Sequence, residues 1–64
     1  EPVDDELIAA LAELGEDQRE VVVLRFVADL TLEDVAAITG RNVNAVKAMQ
    51  HRALANLRQA LAPR

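Results

Sequence analysis

The side chains that could do chemistry in this chain are few, and they suit binding better than catalysis. The sequence has one histidine and no cysteine or tyrosine, and serine is absent as well. A catalytic pair of a nucleophile and a base is therefore nearly excluded. A metal site with thiolate ligands is excluded because there is no cysteine. The paired acids Asp4–Asp5 and Glu33–Asp34 stand where helices are expected to begin, and helix capping explains them. We predict that the chain is not an enzyme and that it holds no metal and no cofactor.

Amide and cationic side chains gather in the second half of the chain, in a pattern that suits nucleic acid. Amide and ammonium groups match the acceptor-rich edges of purines, so we predict that Asn44 and Lys47 contact bases. For His51, a contact with DNA and a neutral imidazole facing solvent are equally good interpretations. Further members of the predicted DNA-binding set stand at the starts of two helices. The full set is Thr31, Arg41, Asn42, Asn44, Ala45, Lys47, Ala48, His51 and Arg52.

The other members of this set have different predicted roles. Arg41, Asn42 and Arg52 suit phosphate, which fixes the register of a protein on the duplex. Ala48 suits the methyl group of a thymine. Thr31, together with the backbone N–H groups that open its helix, offers an anion site.

The segment from Thr31 to Met49 is predicted to position these side chains as two helices joined by a tight turn. Thr31 can cap the first helix, Gly40 supplies the left-handed conformation that ends it, and Asn42 can cap the second. The apolar residues expected to face inward are Val35, Ala36, Ile38, Val46 and Met49. This order is the helix-turn-helix pattern, and an ordinary helical hairpin in a small bundle is the alternative.

Charge is distributed unevenly along the chain. The net charge of −4 argues at first sight against nucleic acid. All eleven acids lie in residues 1–34, where only Arg19 and Arg25 oppose them, so this half carries a net charge of −9. Residues 35–64 contain five cations and no acid, a net charge of +5. The acid-free half indicates a surface that faces phosphate, whereas the acids of the first half are explained equally well as solvated helix faces.

Length and composition favour one small all-α domain that covers residues 1–64. No apolar run approaches the roughly 18 residues of a membrane span, so a cytoplasmic location is expected, and the start at Glu1 without Met indicates a fragment. Four helices are predicted: Asp5 to Leu14, ended by Gly15; Asp17 to about Asp29, capped by Asp17 or Glu16; Leu32 to Ile38; and about Val43 to Ala62. The prediction is a four-helix domain with a C-terminal helix-turn-helix at about residues 31–52.

The second predicted helix is apolar around much of its girth, so the chain has more apolar surface than a domain this small is expected to bury. Part of that surface is expected to bind a partner protein. Because the first two helices are acidic, an amphipathic helix with basic flanking residues fits best. The predicted partner-binding residues are Leu7, Leu11, Val22, Val23 and Phe26.

Several short motifs, in their joint order and spacing, resemble region 4 of a bacterial RNA polymerase sigma factor. They are Gln18-Arg19-Glu20, Leu24-Arg25-Phe26, Leu30-Thr31-Leu32-Glu33-Asp34-Val35-Ala36, Val46-Lys47 and His51-Arg52-Ala53-Leu54. The similarity is greatest to the extracytoplasmic-function group and covers about Leu7 to Leu61. It implies a four-helix domain whose last helix reads the −35 promoter element in the major groove. It also implies docking on the flap of the polymerase β subunit and, in many members, inhibition by an anti-sigma factor.

The chain departs from the family pattern in the helix that would read DNA. Members commonly have Thr-Val-Lys-Ser-Arg where this chain has Ala45-Val46-Lys47-Ala48-Met49, which removes three possible contacts and leaves the base preference open. Two alternatives also remain open. One is the helix-turn-helix output domain of another transcription regulator, and the other is a pure protein-interaction module that works through the apolar second helix.

Overall fold

The computed structural model describes residues 5–63, and the regular secondary structure in this part of the chain is all helical. Its α-helices are α1 (Asp5–Ala12), α2 (Glu16–Val22), α3 (Leu32–Thr39) and α4 (Val43–Ala60). A π-helical segment (Val23–Val27) continues α2 toward α3. The all-α class, the four helices and the C-terminal helix-turn-helix were predicted from the sequence, and they are confirmed.

Helix α4 is the element against which the other helices pack, and α2 and α3 make the larger contacts with it. A first buried cluster joins α2, α3 and the N-terminal half of α4: Val21, Val35, Ala36, Val46 and Met49. A second joins the end of the α1–α2 connection, α2 and the middle of α4: Leu14, Val22 and Ala53, with Leu11 and Leu57 packed against it. The apolar stripe of α4 thus lies inward as predicted, and its opposite face is left to solvent.

The π-helical segment ends in a left-handed residue. The backbone N–H of Ala28 donates to the carbonyl of Val23 at 2.9 Å, one residue further back than in an α-helix. Asp29 then adopts φ 58°, and the N–H of Leu30 donates to the carbonyl of Leu24 at 3.1 Å. The chain then leads into α3, which packs against α4 and the π-helical segment.

Several sequence-based expectations about helix ends were wrong. Helix α1 ends at Ala12 rather than at Leu14, and Leu14 instead lies in the connection to α2, where it is buried against Val22 and Ala53. Helix α2 begins at Glu16, with Gly15 in the capping position at φ −60° and no side-chain cap. The predicted caps Asp17 and Glu16 therefore lie inside the first turn, where their charge favours the helix dipole.

Two apolar side chains lie on the opposite side from that expected. Ile38 is 60% exposed rather than turned inward, because Val35 and Ala36 already fill the contact between α3 and α4. Val22, a predicted partner-binding residue, is only 4% exposed and packs with Leu14 and Ala53. When a helix is apolar on most sides, its sequence does not indicate which side will be buried in the core. In this domain the buried side includes Val22.

Two kinds of feature are absent from residues 5–63. No helix there is both long and apolar enough to cross a membrane. No group of three or more histidine, cysteine or acidic side chains there could hold a metal ion.

Candidate nucleic-acid interface

The turn between α3 and α4 is fixed by hydrogen bonds at both of its ends. Thr31 caps α3 by accepting a hydrogen bond from the N–H of Asp34 at 3.1 Å. Gly40 ends α3 at φ 72°, in the left-handed region that a residue without Cβ adopts at no steric cost. Asn42 caps α4 through its Oδ1, which accepts from the N–H of Ala45 at 2.7 Å. The predicted caps and the predicted left-handed glycine are confirmed.

The outer face of α4 carries most of the predicted DNA-binding side chains. Asn44, Lys47, Ala48, His51 and Arg52 are all exposed. Residues three and four apart lie on one side of a helix, so the structure brings them together as a single strip. We call these five residues the reading face. Ala45 lies beside it and is half-buried.

The charge of the reading face is purely positive. Among residues 5–63, Lys47 and Arg52 form no ion pair, and α4 contains no acid over its whole length. From Asn44 to Arg52 the strip is about 12 Å long at 1.5 Å of rise per residue. An α-helix with its side chains is about 10–12 Å in diameter, and the DNA major groove, about 12 Å wide, admits it.

Arg41 is held away from the reading face. Its guanidinium Nη2 lies 3.2 Å from the Oδ2 of Asp17, in the first turn of α2. The Nε of Arg41 is buried and has no hydrogen-bond partner in residues 5–63. A side chain predicted to contact phosphate is thus already neutralised within the domain.

Thr31 is also less suited to an anion than the sequence suggested. Its Oγ1 is occupied in capping α3, and the first turn of that helix carries Glu33 and Asp34, both exposed. Two carboxylates at a helix start oppose a second negative charge there. Asn42, in contrast, uses only its Oδ1 as a cap, which leaves its side-chain N–H groups free of any hydrogen bond to residues 5–63.

The predicted partner-binding residues divide into three groups. Val22 belongs to the core, as described above. Leu7, Leu11 and Val23 are half-buried, and Leu11 packs against the second core cluster. Phe26 is 50% exposed. Of the predicted set, Phe26 therefore presents the most accessible large apolar surface.

Some contacts that shape the site carry no clear signal in the sequence. The guanidinium of Arg25 donates through Nη1 to the carbonyl of Leu30 at 3.0 Å, and its Cζ lies 5.5 Å from the centre of the Phe26 ring. This contact ties the π-helical segment to the start of α3. The side-chain amide of Asn56 donates to the Oε1 of Gln18 at 2.9 Å and joins α4 to α2. Only the three-dimensional packing brings Asn56 and Gln18 together.

Comparison with known proteins gives a consistent family. A family model described as "Sigma-70, region 4" matches residues 4–57. The RNA polymerase sigma factor SigV of Bacillus subtilis is 46% identical over 55 residues, which are 86% of this chain and 33% of that protein. The ECF RNA polymerase sigma factor ShbA of Streptomyces griseus is 48% identical over 48 residues, 75% of this chain and 25% of that protein.

A third relative extends the match over more of the chain. The RNA polymerase sigma-E factor of Streptomyces coelicolor is 43% identical over 58 residues, 91% of this chain and 33% of that protein. The chain thus spans a third or less of the length of each of these relatives. No solved structure gives a significant match.

Proposed function

Because the chain belongs to the sigma-70 region 4 family, we propose that it is the promoter-reading domain of an extracytoplasmic-function sigma factor. In this proposal α4 enters the major groove of the −35 element in the cytoplasm, while the sigma factor is bound to RNA polymerase. The observation that carries the proposal is the reading face, an exposed and acid-free strip on a helix whose N-terminus is fixed by a capped turn. The family match also favours this function over the output domain of another regulator, and its relatives are named as sigma factors rather than enzymes.

Each residue of the reading face has a proposed role. Asn44, near the start of α4, and Lys47, one turn later, contact base edges, because side chains at the start of a recognition helix reach deepest into the groove. Ala48 lies against a thymine methyl. Arg52 and His51 contact phosphates further along the strip and fix the register. Asn42 adds a phosphate contact through its side-chain N–H groups.

The strength of binding should be modest and should fall steeply with salt. Arg41, Lys47 and Arg52 are the cations that the sequence predicts to neutralise phosphate, but Arg41 is paired with Asp17. Lys47 and Arg52 leave roughly two released counterions, a slope of about −2 in a plot of log affinity against log salt. The acidic first half of the chain weakens long-range attraction further.

The polymerase flap and an anti-sigma factor are proposed to dock on apolar residues of α1 and the π-helical segment. The supporting observations are the exposed ring of Phe26, the half-buried Leu7, Leu11 and Val23, and the two carboxylates in the first turn of α1. An amphipathic helix with an apolar anchor and basic flanks is complementary to such a surface. If both partners use it, they exclude one another, and inhibition needs no change in the reading face.

A single set of titrations tests the proposed DNA contacts. Duplexes that carry candidate −35 elements are titrated with the wild-type chain and with Lys47→Ala, Asn44→Ala and, as a matched control, Arg58→Ala. Arg58 is an exposed cation in the last turn of the same helix, about 17 Å from Lys47 along the axis. Arg58→Ala should therefore leave the affinity for the duplexes unchanged.

Two different losses are expected from the two reading-face variants. Lys47→Ala should weaken binding to the preferred duplex by roughly 1 kcal/mol or more, and Asn44→Ala should reduce discrimination between duplexes by about 1–3 kcal/mol. Equal behaviour of Lys47→Ala and Arg58→Ala would show that the reading face is assigned wrongly. Binding that does not respond to salt would instead favour the pure interaction module.

A further inference from the structure

The ion pair between Asp17 and Arg41 joins the acidic half of the chain to the edge of its DNA-facing surface. Arg41 is the residue directly before Asn42, the cap of α4, and it is 34% exposed. Asp17 is 68% exposed. This inference rests on the proposed function: we propose that Asp17 limits the DNA affinity of the domain by withholding the Arg41 guanidinium from phosphate.

The position of Arg41 is that of a phosphate contact. The turn before a recognition helix lies close to the DNA backbone when the start of that helix is in the groove. The N-terminus of α4 adds the positive end of its helix dipole at the same place. A free guanidinium at this position would extend the positive strip beyond Asn44. The positive charge of the paired guanidinium is instead offset by the adjacent carboxylate of Asp17.

The ion pair is also of a kind that can be broken. Both side chains are partly exposed, and pairs of that kind are weak because water screens them. The buried Nε–H of Arg41 lacks a hydrogen-bond partner in residues 5–63. The cost of leaving this donor unpaired offsets part of the stability that the ion pair contributes. Removal of the Asp17 carboxylate should therefore release the guanidinium without disturbing the packing of α2.

The test measures DNA affinity and its salt dependence in a double-mutant cycle. The 64-residue chain is titrated onto the preferred duplex as wild type, Asp17→Asn, Arg41→Gln and the double variant. Glu16→Gln is the matched control, because it removes a neighbouring carboxylate in the same turn that forms no ion pair in residues 5–63. Asp17→Glu keeps the charge, and Asp17→Ala removes it without an amide.

The expected result is a gain of affinity that depends on Arg41. Asp17→Asn and Asp17→Ala should bind about two- to fivefold more tightly than wild type, and the salt slope should steepen by about 0.9 as one more phosphate contact forms. Asp17→Glu and Glu16→Gln should stay close to wild type. Arg41→Gln should have little effect alone, and it should abolish the gain when it is combined with Asp17→Asn.

Other outcomes overturn the proposal. If Asp17→Asn gains affinity to the same extent with Gln at position 41, or no more than Glu16→Gln does, Asp17 acts only as one repulsive charge among several. If Asp17→Asn weakens binding, Asp17 supports Arg41 rather than withholding it. A wild-type chain that binds duplex with a steep salt slope but does not respond to Asp17→Asn refutes this inference alone. A wild-type chain that binds no duplex even at low salt refutes the proposed function as well.

Discussion

Replacement of Asp29 by glycine should stabilise the domain, although the substitution removes a side chain. Asp29 is held at φ 58° by the hydrogen bonds that end the π-helical segment, including the one from Leu30 to Leu24. A left-handed conformation costs an L-residue roughly 1–2 kcal/mol, less for aspartate, and it costs glycine almost nothing. The carboxylate also lies at the negative end of a helix, which is unfavourable by a few tenths of a kcal/mol.

The net gain should be about 0.5 kcal/mol after the larger freedom of glycine in the unfolded chain is subtracted. In a domain of this size that corresponds to a rise of roughly 2–4 °C in Tm. Asp29→Asn should gain less, since asparagine tolerates the conformation and removes the charge. Asp29→Ala should lose stability. Thermal and urea unfolding followed by circular dichroism would rank the four proteins.

A matched control is available at the preceding residue. Ala28 has φ −81° and ψ −9°, so Ala28→Gly brings no conformational relief and should destabilise by about 0.5–1 kcal/mol. If Asp29→Gly is no more stable than Asp29→Ala, residue 29 is not left-handed in solution, and the described end of the π-helical segment is incorrect.

Three further predictions concern the caps and the core. Asn42→Ala should destabilise by about 1 kcal/mol in urea unfolding, since the first turn of α4 loses its acceptor; an unchanged midpoint would contradict the cap. Gly40→Ala should cost about 1 kcal/mol because of its φ of 72°, and a neutral result would mean that the turn relaxes. Val22→Ala should lower the free energy of unfolding by about 2 kcal/mol because Val22 is buried, and Val27→Ala should lower it by less than about 0.5 kcal/mol because Val27 is exposed. Equal losses would contradict the placement of Val22 in the core.

The helix-turn-helix could be predicted from the sequence because its determinants are local. A cap and the N–H that it accepts from are three residues apart, as in Thr31 with Asp34 and Asn42 with Ala45. Gly40 needs no distant partner to adopt a left-handed conformation. The inward stripe of α4 likewise follows from helical periodicity alone, and with it the outward position of Asn44 and its neighbours.

The features that sequence reasoning missed depend on distant contacts or on degenerate patterns. Asp17 lies at the start of α2 and Arg41 lies just before α4. Nothing in the sequence near either residue indicates that the two side chains form an ion pair. The run Val23–Val27 is apolar enough to be buried in an α-helix or in a π-helix, so its composition does not distinguish them. Val22 and Val23 are chemically identical neighbours, and only the position of Ala53 decides which one is buried.

The ion pair between Asp17 and Arg41 also implies a thermodynamic linkage between two surfaces. A basic side chain of a polymerase or anti-sigma partner that pairs with Asp17 would free Arg41 for DNA. Conversely, DNA that takes Arg41 would free Asp17 for the partner. Because linkage is reciprocal, each ligand must raise the affinity for the other by the same factor. We expect the affinity for a basic amphipathic helix to increase when the preferred duplex is present, and this increase should disappear in Arg41→Gln. The domain would then bind promoter DNA most tightly when a basic side chain of a partner already pairs with Asp17.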